Sequence, residues 1–234
     1  MSTLPAAERA PSAAAAPGGS GPRLGGLVRW HVRAGELGLR LFLLHLLWVL
    51  GTLAGGVVVG VFPATAALHA VLRSDQHEAA LEREDRLPPS RPGLWHEFWS
   101  AWRTELVRAN TIGLVLVLLW GLLAADRAVV LAGVGAATPL VSGLVVALTV
   151  ATLLLSATIW PLAAHFADPL PRLWRMAMLL LLSRPALTLS IGAVLAASVW
   201  LLGRIPGLIP VFGIALTCWA ISALIWRSGV LPRA

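Results

Sequence analysis

The sequence predicts an all-α membrane protein, a polytopic bundle of about five transmembrane helices. Of its 234 residues, 58% are hydrophobic, whereas soluble globular domains are about 45–50% apolar. The mean hydropathy is +0.81, and a water-soluble core of this size cannot bury so much apolar surface. Five stretches also approach the roughly 20 apolar residues that are needed to cross the core of a bilayer.

The charged residues exclude several enzyme classes. All 18 basic residues are arginine and the sequence contains no lysine, so Schiff-base catalysis and a Walker A lysine are excluded for this chain. The arginines flank apolar runs, a pattern that is typical of contacts with lipid phosphate rather than with nucleic acid. The single cysteine, Cys218, lies in an apolar segment and is expected to be a packed side chain.

The chain is predicted to consist of a tail and one membrane domain. Residues 1–24 are rich in Ala, Pro and Gly and are expected to be disordered, because such a segment buries too little apolar surface to order itself. Residues 25–228 are predicted to form a single helical domain. Its elements are predicted spans at 39–62, 109–125, 139–166, 185–202 and 208–226, a hydrated loop at 73–93, and an interfacial helix at 94–108.

The stretch FPATAALHAVLRS, from Phe62 to Ser74, leaves the topology of the first span open. Gly51, Gly55 and Gly56 weaken the end of the apolar run and allow close helix contact. A plain span would place the arginine-containing tail opposite the arginine-rich connections, against the positive-inside tendency. A re-entrant hairpin that bends within 51–60 would return the tail to the same side. The C-terminus is predicted to be cytoplasmic.

The interfacial helix is predicted from an aromatic pattern. Trp95, Phe98, Trp99 and Trp102 fall on one face at helical spacing, and Arg103 lies on the remaining circumference. Tryptophan favours the headgroup level of a bilayer, where its ring is buried and its N–H is hydrated. We therefore expect a helix that lies on the membrane surface, with a partner-binding helix as the alternative.

Polar and kink-forming residues within the apolar runs are the candidates for ligand contacts. They are His45, Trp48, Asn110, Trp160, Pro161 and His165. A polar side chain in lipid is costly unless it faces other helices, so His45 is expected to point inward to a hydrogen-bond partner. The sequence lacks the HExxH, GxSxG and CxxC motifs and has no intramembrane carboxylate. We therefore predict no enzymatic activity, no metal and no cofactor.

Four segments carry a family resemblance. LLHLLWVL (Leu43–Leu50) and VFPATAALHAVLR (Val61–Arg73) are followed by FWSAWRTELVRANTIGL (Phe98–Leu114) and IWPLAAHFADPLPRLWRMAMLLLLSRPALTL (Ile159–Leu189). In this order they resemble the YesL-type membrane proteins, a domain of unknown function. The resemblance implies a bacterial integral membrane protein, often encoded beside genes for carbohydrate uptake, including sugar ABC transporters. It transfers no catalytic residue, and His45 departs from the family, which tends to have Asn there.

Two functions are compatible with these residues. The first is an accessory or interaction component of the cytoplasmic membrane that is linked to carbohydrate uptake, with a component of a sugar ABC transporter as its partner. The alternative is a carrier or channel for small, sugar-like solutes that acts as a homo-oligomer, because glycine- and proline-broken helices can expose backbone to a substrate. In both cases the bilayer is a partner.

Overall fold

The computed structural model describes residues 22–132 and 138–229, without the side chains of 22–30 and 138. Most of the predicted tail therefore lies outside the described residues, and its last positions, 22–24, belong to the first helix. The helices are α1 Pro22–Ala54, α2 Val61–Arg83, α3 Leu94–Thr104, α4 Leu106–Leu131, α5 Thr138–His165, α6 Leu170–Ser183, α7 Pro185–Arg204 and α8 Gly213–Arg227. The prediction of an all-α bundle is confirmed. The chain forms two compact units, Met1–Gly38 and Leu39–Ala234, and the packing described below lies within the second.

Four helices of the described chain are long and apolar enough to cross a membrane. They are His31–Ala54, Leu106–Leu131, Pro139–His165 and Pro185–Arg204. The fifth predicted span, 208–226, differs from the structure: a short 3-10 turn, Pro206–Leu208, precedes α8, which has only 15 residues. A helix of that length reaches about 22 Å, short of a bilayer core of about 30 Å.

α2 turns back beside α1 instead of continuing it, so the helix predicted over 39–62 ends at Ala54, and the chain follows the hairpin that the sequence left as the alternative. Gly56 and Val57 take left-handed φ values of 68° and 65°, a conformation that is strained for a β-branched residue. A Cβ on Gly55 would collide with the backbone of Gly60, so only glycine allows a turn this tight. The result is a helical hairpin whose tip lies at 55–60.

Two side-chain pairs show that the hairpin is antiparallel. Arg40 of α1 pairs with Asp75, in the second half of α2. Nearer to the hairpin tip, the indole Nε1 of Trp48 donates to Thr65 Oγ1 at 3.0 Å. Because the residue numbers fall on α2 as they rise on α1, the two helices run in opposite directions.

Two further boundaries correct the sequence predictions. The hydrated loop predicted at 73–93 is helical as far as Arg83, since its first half is rich in Ala, Leu and Glu, which favour helix. The interfacial helix predicted at 94–108 ends at Thr104, and α4 begins at Leu106 and continues through the polar pair Asp126 and Arg127. Polar residues at the end of a spanning helix reach hydrated surroundings and need not end it.

α2 lies at the centre of the bundle, in contact with α3, α4, α5 and α8. Its buried side chains are mostly small, among them Ala64, Ala66 and Ala67, and small residues let neighbouring helices approach closely. The buried polar residue His69 is satisfied across the interface, where its Nδ1 is hydrogen-bonded to Ser222 Oγ of α8 at 3.0 Å. The central helix of the bundle is therefore one that hydropathy alone does not select as a span.

Candidate functional site

A network of charged side chains joins the polar half of α2 to α3. Arg91 donates from Nη1 to Asp75 Oδ1 at 3.0 Å and to Glu78 Oε2 at 2.7 Å, and from Nη2 to Glu97 Oε2 at 2.5 Å. Arg40 donates to both oxygens of Asp75, from Nε at 2.6 Å. Three carboxylates and two guanidinium groups thus tie the connection between α2 and α3 to both helices and to α1.

The carboxylates of this network favour the charged form of Arg91. Burial lowers the pKa of the Arg91 guanidinium, but its hydrogen bonds to Glu97, Asp75 and Glu78 outweigh burial and raise that pKa above its ordinary value. The side chain of Arg91 is only 18% exposed and that of Glu97 17%. Charge-assisted hydrogen bonds are strong in such partly desolvated surroundings, so Arg91 is a structural anchor.

Two more arginines cap the C-terminal end of α5. Arg73 Nη1 donates to the Ala164 carbonyl at 2.7 Å, and Arg108 donates to the carbonyls of Ala163 at 3.2 Å and Phe166 at 2.6 Å. The last carbonyls of a helix have no partner within it, and cations are favourable at that end of the helix dipole. These contacts hold α2 and α4 against the end of α5.

Between these two groups lies a cleft of about 300 Å³ that is built from α2, α3, α4 and α5. Small side chains leave the space open: Ala66, Ala70, Ala101, Ala109, Ala163 and Ala164. Polar side chains line the cleft as well: Arg73, Ser74, Glu97, Ser100, Thr104 and Glu105. The indole of Trp160, 7% exposed, also contributes to the wall.

The cleft is better suited to binding than to bond cleavage. The hydroxyls of Ser74, Ser100 and Thr104 each donate to a carbonyl of their own helix, at 3.3, 3.0 and 2.8 Å, so they present acceptor oxygens rather than activated nucleophiles. Glu97 is held by Arg91. The walls thus offer many acceptors and the donors of Arg73.

The predicted ligand-facing residues fall in different places. Trp160 lines the cleft and stacks on Phe62 with ring centroids 6.2 Å apart. His45 is buried, stacks on Trp48 at 6.0 Å, and would collide with any Cβ at Gly213. Only Trp160 of these therefore contributes to the cleft.

The remaining predicted residues bond within their own helices. Asn110 Nδ2 donates to the Leu106 carbonyl at 2.7 Å. His165 donates from Nδ1 to the Pro161 carbonyl at 2.8 Å, with its ring 5.6 Å from that of Trp226. A ligand role for these residues stays a prediction. The described residues hold no group of three or more His, Cys, Asp or Glu that could bind a metal ion.

The aromatic face predicted for α3 is shared between the bundle and its surroundings. Phe98 is fully buried, and a Cβ on Gly51 would lie 3.1 Å from its ring and 3.2 Å from that of Trp102. Trp95 is 60% exposed, and Trp99 is half-buried between Trp95 and Trp102. One side of α3 therefore covers α1, while Trp95 faces outward.

Sequence reasoning missed the charged network and the arginine caps. Asp75 and Glu78, three residues apart on one helical face, carried a signal, because residues at this spacing are neighbours on a helix. Arg91 stands between prolines, where no periodicity indicates its partners. Arg73 and Arg108 bond to backbone carbonyls, which no side-chain pattern reveals.

Comparisons with known proteins bear on this arrangement. Residues 41–127 match a family described as "Protein of unknown function, DUF624". The chain is 31% identical over 178 residues to "Uncharacterized protein YteU" of Bacillus subtilis (strain 168). The aligned region covers 74% of this chain and 72% of that protein. The chain belongs to the DUF624 family. This DUF624 protein is also 29% identical over 171 residues to "Uncharacterized protein YesV" of the same organism, over 71% of this chain and 76% of the relative.

Family membership confirms the predicted resemblance to a family of unknown function. The matched range covers the α1–α2 hairpin from Leu41, all of α3 and most of α4. It thus includes Arg91 and its three carboxylates and three of the four walls of the cleft, while α5 lies outside it. No solved structure matches the chain.

Proposed function

We propose that this DUF624 protein is an accessory component of the cytoplasmic membrane that binds a polar segment of a partner protein in the cleft between α2, α3, α4 and α5. The observation that carries the proposal is the cleft itself. It lies where α5 ends and α4 begins, beside the hydrated connection that contains Arg91. A cleft at the end of a bundle is reachable from water, as a docking site for a soluble or juxtamembrane segment requires.

The distribution of arginines supports a cytoplasmic position for this end. The end that contains the cleft carries Arg40, Arg73, Arg83, Arg86, Arg91, Arg103, Arg108, Arg172, Arg175, Arg184 and Arg227. The opposite end of the described helices carries Arg127, near the end of α4, and Arg204, at the end of α7. Arginine-rich connections remain on the cytoplasmic side of bacterial-type membranes, so the cleft faces the cytoplasm and α8 ends there.

The lining of the cleft favours a docking role over a carrier. Its polar groups belong to one end of the bundle: Glu97 and Glu105 lie at the two ends of α3, and Arg73 donates to a carbonyl at the end of α5. A carrier places its site near the middle of the bilayer. The link to carbohydrate uptake rests on the resemblance described from the sequence, which makes a component of a sugar ABC transporter the expected partner.

Filling the cleft is expected to weaken partner capture. Ala70→Leu adds bulk to the lining without changing charge, and the open volume of about 300 Å³ leaves room for the added side chain. After gentle crosslinking in native membranes and affinity purification, we expect this variant to recover about tenfold less of a sugar transporter permease than the unmodified protein, equal to about 1.4 kcal/mol of binding.

Ala196→Leu is the matched control, because Ala196 is exposed on the apolar helix α7. It should recover as much permease as the unmodified protein. Equal recovery by all three proteins would show that the partner does not use the cleft. Recovery of the protein alone, with no transporter component, would refute the proposal.

A further inference from the structure

Arg103 on α3 differs from the arginines around it. Arg91 binds three carboxylates, and Arg73 and Arg108 bind the end carbonyls of α5. Arg103 is exposed and has no carboxylate or carbonyl acceptor among the described residues. Its charge is therefore available to a ligand from outside the bundle.

Arg103 lies in a groove along the outer face of α3. The groove has a volume of about 320 Å³ and is lined by Trp95, His96, Trp99, Ser100 and Arg103. Its walls combine two indole rings, whose centroids are 5.7 Å apart, with a guanidinium and an imidazole. No carboxylate of the described chain lines it, because Glu97, the acidic residue of this helix, is turned to Arg91 at 2.5 Å. The groove is thus cationic on one side and apolar on the other.

Trp99, which lines the groove, also carries a donor that lacks an acceptor. The indole Nε1 of Trp99 is buried and has no hydrogen-bond partner in the described structure. A buried N–H without an acceptor costs free energy, and an acceptor brought by a ligand would relieve that cost. Negatively charged oxygens are the acceptors that suit both this N–H and the Arg103 guanidinium.

The location of α3 indicates where such oxygens come from. α3 ends at Thr104, and the spanning helix α4 begins at Leu106, so the groove lies at the boundary between the bilayer and water. Indole rings prefer this level, and Trp95 is 60% exposed there. A lipid presents a phosphate at this depth with acyl chains beside it, which matches a groove with one cationic and one apolar wall.

We propose that the α3 groove binds the phosphate of an anionic phospholipid. Arg103 holds the phosphate, and Trp95 and Trp99 pack on the glycerol and the first carbons of the acyl chains. Apart from Ser100, which borders both, the side chains of this site do not line the cleft, and the proposal does not depend on the proposed function.

The test compares lipid binding by Arg103→Gln and Arg83→Gln in the full-length protein. Arg83 is exposed at the end of α2 and has no ion pair among the described residues, so its variant controls for the loss of one positive charge. Binding of phosphatidylglycerol and of phosphatidylcholine to the detergent-solubilised protein is measured by native mass spectrometry. We expect Arg103→Gln to weaken phosphatidylglycerol binding about five- to tenfold, and Arg83→Gln to change it less than about twofold.

Four outcomes decide the proposal. Arg103→Lys should retain most of the binding, and this variant shows that a loss in Arg103→Gln reflects charge rather than misfolding. Equal losses in Arg103→Gln and Arg83→Gln, or equal affinity for both lipids, would overturn the proposal. Displacement of phosphatidylglycerol by millimolar inorganic phosphate would assign the groove to a free phosphate and overturn the lipid assignment.

Discussion

Arg91→Ala is expected to lower the free energy of unfolding more than any other single change at the charged end of the bundle. It leaves Asp75, Glu78 and Glu97 without their shared cation, while their side chains are only 23%, 38% and 17% exposed. Removing one partner of a fully buried ion pair costs roughly 3–5 kcal/mol. Because these carboxylates are partly hydrated, we expect about 2–3 kcal/mol, seen as a lower apparent Tm in detergent.

Arg86→Ala is the control for Arg91. Arg86 lies in the same connection, but its side chain is 68% exposed and its ion pair with Glu84 is long, at 3.8 Å. Exposed pairs contribute about 0–1 kcal/mol, so the Tm should hardly change. Arg91→Lys should recover only part of the loss, since an ammonium cannot present the fork of donors that reaches three carboxylates. Equal Tm values for Arg91→Ala and Arg86→Ala would show that the network does not hold α2 and α3 together.

Gly113→Ala is expected to disrupt the contact between α2 and α4. A Cβ at Gly113 would collide with the ring of Phe62, and that ring cannot move freely because it stacks on Trp160. Overpacking of this kind costs about 1–3 kcal/mol. The expected result is a clear fall in apparent Tm, measured by the same thermal unfolding.

Gly121→Ala is the matched control on the same helix. A Cβ at Gly121 meets nothing within 4 Å, and alanine stabilises a helix interior relative to glycine by about 0.5–1 kcal/mol. The Tm of this variant should stay the same or rise. If both substitutions behave alike, then α2 does not pack against α4 as the structure shows.

The spanning helices were predictable because their signal is local. α4, α5 and α7 each contain an apolar run of bilayer length, and runs of this kind are visible in one window of sequence. The boundaries at polar residues were less predictable, since Asp126 and Arg127 continue α4 instead of ending it. A charged residue at a bilayer edge is compatible with either outcome.

The packing was not predictable because its signal is spread along the chain. α2 is central although many of its side chains are small or polar, and only its neighbours reveal that it is buried. Glu97 and Asp75 meet at Arg91 from helices that are adjacent only in the fold. Likewise, the His45 ring packs directly against Gly213, although the two residues are far apart in sequence. Contacts of this type depend on how the helices are aligned with one another and how closely they pack, which composition does not encode.

α1 and α2 form a hairpin in the structure, and the proposed function requires that the arginine-rich end with the cleft face the cytoplasm. The most direct test of this arrangement uses single cysteines in a Cys218→Ala background, because Cys218 is the only native cysteine. Ser90 and Ser183 are exposed at the arginine-rich end, whereas Val58, 74% exposed at the hairpin tip, and Gly207 belong to the opposite end.

An impermeant maleimide added to intact cells should label Val58→Cys and Gly207→Cys. It should label Ser90→Cys and Ser183→Cys only after the membrane is opened. Labelling of Ser90→Cys in intact cells would place the cleft outside the cytoplasm. Labelling of Val58→Cys and Ser90→Cys from the same side would contradict the hairpin itself.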